Sequence, residues 1–197
     1  MYHKHCKKKS QTKWNKSLNR QHFSHPIRFC FILYFQLGKA KKQSALLVGG
    51  RDMKVLSMIK PWASLFVLRE AQYETRSWKT NYRGPLAIHT SKKIDKAVCN
   101  HRAVQSLLAK HGYTVQDLPT GQIIAVCQLK ECLKVMENHQ TWAVLEDGRQ
   151  VFGNDYFLGG YPEGGYVWVV DDMRMLEHFI PAKGKLGLWE HEVYWND

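Results

Sequence analysis

A carboxylate and a guanidinium stand two positions apart at Glu74 and Arg76, at the head of the stretch ETRSWKTNYRGPLAIHTSKK, residues 74–93. In an extended segment such residues point to the same face, where they could grip one polar ligand edge together. If burial raised its pKa towards neutrality, Glu74 could also act as a general base. Cations and rings then interleave as Arg76, Trp78, Lys79, Tyr82 and Arg83. Gly84 and Pro85 turn the chain into the apolar run Leu86 to Ile88, which ends in a polar and basic tip: His89, Thr90, Ser91, Lys92 and Lys93. Bases stack on flat rings and phosphates pair with neighbouring cations, so this alternation suits a nucleic-acid surface. The same spacing also describes an amphipathic β-hairpin with rings inside and cations in water. Both readings stay open on the residues alone.

The elements that must carry these residues read as compact α+β from Met53 onward. MKVLSM, residues 53–58, alternates as a first strand. Pro61 suits the first turn of a helix of roughly ten residues ending near Gln72, with Trp62, Leu65 and Phe66 on its apolar face. Glu74–Arg76 and Leu86–His89 read as strands joined by the Gly-Pro turn. Asp95 is placed to cap a second helix with the stripe Val98, Val104, Leu107 and Leu108, stopped by Gly112. Pro119 and Gly121 lead into a strand at Gln122–Leu129, and Asp147-Gly148 signals a hairpin after Val144 and Leu145. Gly159–Gly165 reads as a Gly-rich loop and YVWVV, residues 166–170, as a strand. Many strands, close turns and two good helices favour a small, partly open β-barrel with helices at its ends.

Four blocks then carry a resemblance: LSMIKPWASL, YETRSWKTNYRGPLAIHTSKK, GGYVWVVDDMRML and IPAKGKLGLW. In this order they resemble the ASCH domain family over about residues 53–190. That resemblance implies a PUA-like β-barrel of about five to six strands with two or more flanking helices. It also implies a cleft that binds RNA, single-stranded nucleic acid or a modified nucleoside. The family's motif is Gly-x-Lys, two residues, then Glu-x-Arg. Glu74 and Arg76 match its second half, whereas Arg69 stands at the Gly position and Ala71 at the Lys position. Small members of the family that remove the acetyl group from acetylated cytidine use that Lys in catalysis. Ala71 carries no ammonium group, so the resemblance favours a regulatory binding module.

Two alternatives remain: a hydrolase on RNA or a modified nucleoside with Glu74 as general base, and a protein–protein adaptor. Carried onto this chain, Glu74 would meet a base edge and Arg76 a phosphate or Glu74 itself. Lys60, Lys92 or Lys93 could stand in for the missing Lys. Trp62 and Trp78 are candidate stacking platforms, although Trp62 beside Leu65 and Phe66 suits the core better. Lys79 and Arg83 flank the rings, His89, Ser91 and Lys92 could line the cleft, and Lys183 and Lys185 could add phosphate contacts.

Charge is unevenly spread along the 197 residues, whose formal net charge is +12. Residues 1–52 hold 12 of the 29 Lys and Arg and a single acidic residue, Asp52, leaving 17 basic and 16 acidic residues beyond them. That first stretch reads as a basic, unstructured extension or as a translated upstream region, and residues 53–197 as the domain. Its apolar patch, Phe29–Phe35, is far shorter than the ~20 residues a membrane span needs. The cysteines form no CxxC and the histidines no HExxH, which argues against a metal or a disulfide framework. No phosphate-loop spacing is present. The expectation is a cytoplasmic, cofactor-free and monomeric protein of a bacterium or phage. For the upstream-region reading, the native chain should begin at Met53; an intact mass that includes Met1 overturns it.

Overall fold

The alternation in MKVLSM does build a strand, and it starts two residues early. In the computed structural model, which describes residues 50–194, β1 runs Arg51–Lys60 and buries Met53, Val55, Leu56 and Met58. Arg51 and Asp52 pair with Val193 and Glu192 of the last strand. The expected boundary after Asp52 thus moves back, since Arg51 and Asp52 belong to β1; the patch Phe29–Phe35 and the rest of residues 1–49 lie outside the described residues. After β1 come α1 (Trp62–Val67), β2 (Tyr73–Arg76), β3 (Gly84–Ile94), α2 (Lys96–Cys99), α3 (Arg102–Lys110) and a 3-10 turn (Val115–Asp117). The chain continues through β4 (Gln122–Asn138), β5 (Ala143–Leu145), β6 (Gln150–Val151), α4 (Gly153–Gly159), β7 (Tyr166–Pro181) and β8 (Leu188–Val193).

The fold is α+β, a mixed sheet of eight strands with four helices. Six strands form one path in the order β2-β7-β4-β3-β1-β8, and the β5–β6 hairpin extends from β4. Among the described residues only β1 and β3 pair in parallel. Neighbouring strands are about 4.8 Å apart, so β2 and β1, four steps apart, would be separated by roughly 19 Å in a flat sheet. Yet the Arg76 side chain on β2 donates from Nη2 to the Ser57 carbonyl on β1 at 3.0 Å. The path therefore curls until its two sides nearly meet, with α1 packed inside on β1, β3 and β7.

Several local expectations change. β2 and β3 do not form a hairpin: β2 pairs only with β7, and β3 lies between β1 and β4. Residues 77–83 carry the chain away from β2, because Trp78 turns in against Trp168. The helix after Pro61 stops at Val67, since Arg69 takes up a left-handed φ of 62°. The helix begun by Asp95 splits in two: Asp95 accepts from Val98 N, and His101 starts α3 by accepting from Ala103 N. Gly112, at φ 76°, follows α3 as expected.

One core contains Phe66, Leu56, Leu86, Ile88, Leu129 and Trp168, and a smaller one under the hairpin holds Val135, Leu145, Val151 and Tyr161. Trp168 and Trp189 are interior, and Cys99, Cys127 and Cys132 are buried free thiols. Trp168 is fully buried, and its Nε1 has no hydrogen-bond partner among the described residues. Trp168→Ala should cost about 3–5 kcal/mol, whereas Trp168→Phe, which also removes the unpartnered N–H, should cost only about 1–2 kcal/mol. Urea unfolding of the two variants checks this, and equal losses would contradict it.

Candidate functional site

Period-two geometry places Glu74 and Arg76 on one side of β2, where Glu74 faces Trp168 and Arg76 faces Tyr166 of β7. Arg76 Nε lies 2.9 Å from Glu74 Oε1, with the two side chains 23% and 16% exposed. Burial pushes the Glu74 carboxyl up to about 7, against the opposite pull of the Arg76 guanidinium. Thr75, on the other side of the strand, ties β2 to the end of α4 by donating to the Gly159 carbonyl.

Glu74, Thr75 and Arg76 line a cavity of about 310 Å³ with Trp62 of α1 and Leu158 of α4. Ser57, Ile59 and Arg76 also border a second cleft of about 980 Å³. Five cations, Arg76, Lys92, Lys93, Lys183 and Lys185, line that cleft, and no carboxylate does. A small pocket with an acidic group thus shares Ser57, Ile59 and Arg76 with a cleft whose charged groups are all basic.

The basic cleft is held by a chain of hydrogen bonds whose directions follow from chemistry. Trp189 Nε1 can only donate, and does so to Ser57 Oγ at 3.0 Å. The Ala182 carbonyl can only accept, so His89 Nε2, 3.1 Å away, carries a hydrogen. Burial holds His89 below its ordinary pKa. In the neutral ring Nδ1 is then an acceptor, and Ser57 Oγ, 3.2 Å away, donates to it. Gly184 lies directly over this group: a Cβ there would sit 2.6 Å from His89 Cε1. Lys185 Nζ is 5.6 Å from the Trp189 ring. The loop with both lysines is thus hydrogen-bonded at Ala182, passes closely over His89 at Gly184 and sets Lys185 above the Trp189 ring.

Most of the residues singled out by sequence meet here. Glu74, Arg76 and Trp62 line the small pocket; Arg76, His89, Ser91, Lys92, Lys183 and Lys185 line the cleft. Four do not. Lys60 is buried at the end of β1, where its charge acts on Cys99 and Asp117. Trp78 packs edge-on to Trp168 at 4.7 Å, and Lys79 is exposed outside both cavities. Arg83 folds back onto the carbonyls of Thr80 and Tyr82. Sequence reasoning missed Ser57; its signal was a small polar residue between the apolar pairs Val55-Leu56 and Met58-Ile59 of β1.

The family model of the ASCH domain, a PUA-like family commonly linked to RNA binding, matches residues 56–177. No curated protein matches the chain. No helix among the described residues is long and apolar enough to cross a membrane.

The raised Glu74 pKa has a stability consequence. Between its ordinary 4.5 and about 7, the folded state holds a proton that the unfolded state has lost. Stability should therefore fall as pH rises through that window, by on the order of 3 kcal/mol from this group. Glu74→Gln should remove that share of the slope. Urea unfolding of both proteins at about pH 5 and about pH 8 tests it; identical slopes would refute the assignment.

Proposed function

This chain belongs to the ASCH domain family, and from that premise we propose that it is a regulatory module binding RNA or a modified nucleoside in the two joined cavities. The observation that supports this most is the charge pattern: five cations and no carboxylate around the large cleft, continuous with a small pocket containing Glu74. A phosphate chain fits the first and a base edge the second. Glu74 accepts from amino or imino groups of the base, and Arg76, between the cavities, meets the adjoining phosphate.

A second reading, hydrolysis of the bound RNA or nucleoside, is favoured by one observation. A carboxyl near pH 7 can take a proton from water as a general base. Ala71, buried where the family has Lys, offers no ammonium for this step.

The test uses the full chain, Glu74→Ala/Arg76→Ala and Lys183→Gln/Lys185→Gln, titrated with labelled single-stranded RNA at two salt concentrations. Residues 1–52 are identical in all three, so differences report the cleft. Binding should weaken with salt and be lost in the Glu74/Arg76 variant, with the RNA intact. Neutralising two phosphate-contacting lysines should reduce the salt slope by about 1.4. Cleavage that disappears with Glu74 would make the protein an enzyme. Absence of binding at both salts would overturn the polynucleotide reading.

A further inference from the structure

Trp62 borders two cavities. One is the Glu74 pocket; the other is a groove of about 260 Å³ lined by Trp62, Ala97, Val98, His101, Val104 and Phe157. The groove is almost wholly apolar, and three of its six lining groups are flat rings. His101 and Phe157 lie with ring centroids 5.4 Å apart. Phe157 is 47% exposed, a large apolar group that the fold leaves in water. His101 cannot swing freely, because its Nδ1 accepts from Ala103 N at the start of α3. Rings from α1, the α3 cap and α4 therefore stand preset around a gap smaller than the usual site for a drug-sized ligand. Exposed Lys96 and Arg102 adjoin Ala97 and His101 in the chain.

We infer that this groove is a second base subsite, which stacks the nucleotide next to the one held at Glu74. The inference rests on the nucleic-acid reading above and names its substrate class: single-stranded RNA offering at least two adjacent unpaired bases. Continuity carries it. Trp62 is the shared wall, so a base leaving the Glu74 pocket along a strand meets the aromatic groove next. Apolar rings accept any base by its flat face, whereas the carboxylate of the first pocket selects by hydrogen bonding. The first subsite therefore specifies and the second adds affinity with little sequence preference.

The experiment compares wild type, Phe157→Ala and His101→Asn, all as the full chain. His101→Asn keeps a residue that caps helices well while deleting the ring. The probes are a single-stranded oligopyrimidine of about ten nucleotides and a ribose-phosphate oligomer of the same length without bases. Each variant should weaken the base-bearing oligomer roughly 5- to 100-fold and leave the abasic one unchanged. If wild type binds the oligopyrimidine and both variants match it, the stacking subsite is wrong while the nucleic-acid reading stands. An equal loss on both probes also overturns it, since that loss comes from fold or charge. If wild type binds neither probe, both readings fall together.

Discussion

The guanidinium of Arg76 sits at the seam of the curled sheet, and the architecture on both sides depends on what it touches. It lies against the Glu74 carboxylate on its own strand and donates to the Ser57 carbonyl across the gap. No backbone ladder joins β2 to β1, so this side chain bridges two strands that the hydrogen-bonded path leaves apart. A partly buried ion pair is weak evidence for stability, because desolvation offsets much of the attraction. The raised Glu74 pKa is the direct sign of that cost. What the arrangement supplies is geometry: a seam bridged by a side chain instead of a strand leaves room for a pocket, and the bridging group is itself available to a ligand.

Ser57 extends the same constraint. Its carbonyl holds Arg76 while its hydroxyl sits between Trp189 and His89, so one small residue couples the carboxylate pocket to the lysine loop. Lysines on a free loop would lose side-chain and backbone entropy on meeting a phosphate; a loop hydrogen-bonded at Ala182 and packed over His89 has already lost part of it. Lys60 and Arg83 show the contrast. They are equally cationic, but one is buried against another region and the other is occupied by its own turn.

The acid–base pair, the basic tip of β3 and the lysines of KGKLGLW were legible because short-range patterns of charge and alternation determine them. Interior placement of Trp168 and Trp189 was legible from burial tendency. What escaped was set by tertiary contacts. The 77–83 segment reads as a hairpin until Trp78 finds Trp168. Helix α4 was hidden inside a stretch rich in turn-forming residues, and with it the position of Phe157 beside the apolar groove. Trp62 has a face against the core and a face on two cavities, which no spacing rule distinguishes. Its ring packs partly against the core and also borders both cavities.

The place of β8 in the sheet bears on when the site comes into being. β1 is the first described strand, yet one of its two neighbours, β8, is the last. Chains are synthesised from the N-terminus, and contacts between distant segments form late. While a ribosome is still making the chain, Glu74 and Arg76 emerge early, but Ser57 lacks its Trp189 donor and the lysine loop does not yet exist. Glu74 therefore precedes Lys183 and Lys185 by more than a hundred residues of synthesis. A chain that ends between β3 and Lys183 retains the carboxylate, Arg76, Lys92 and Lys93 without the two lysines that complete the cleft.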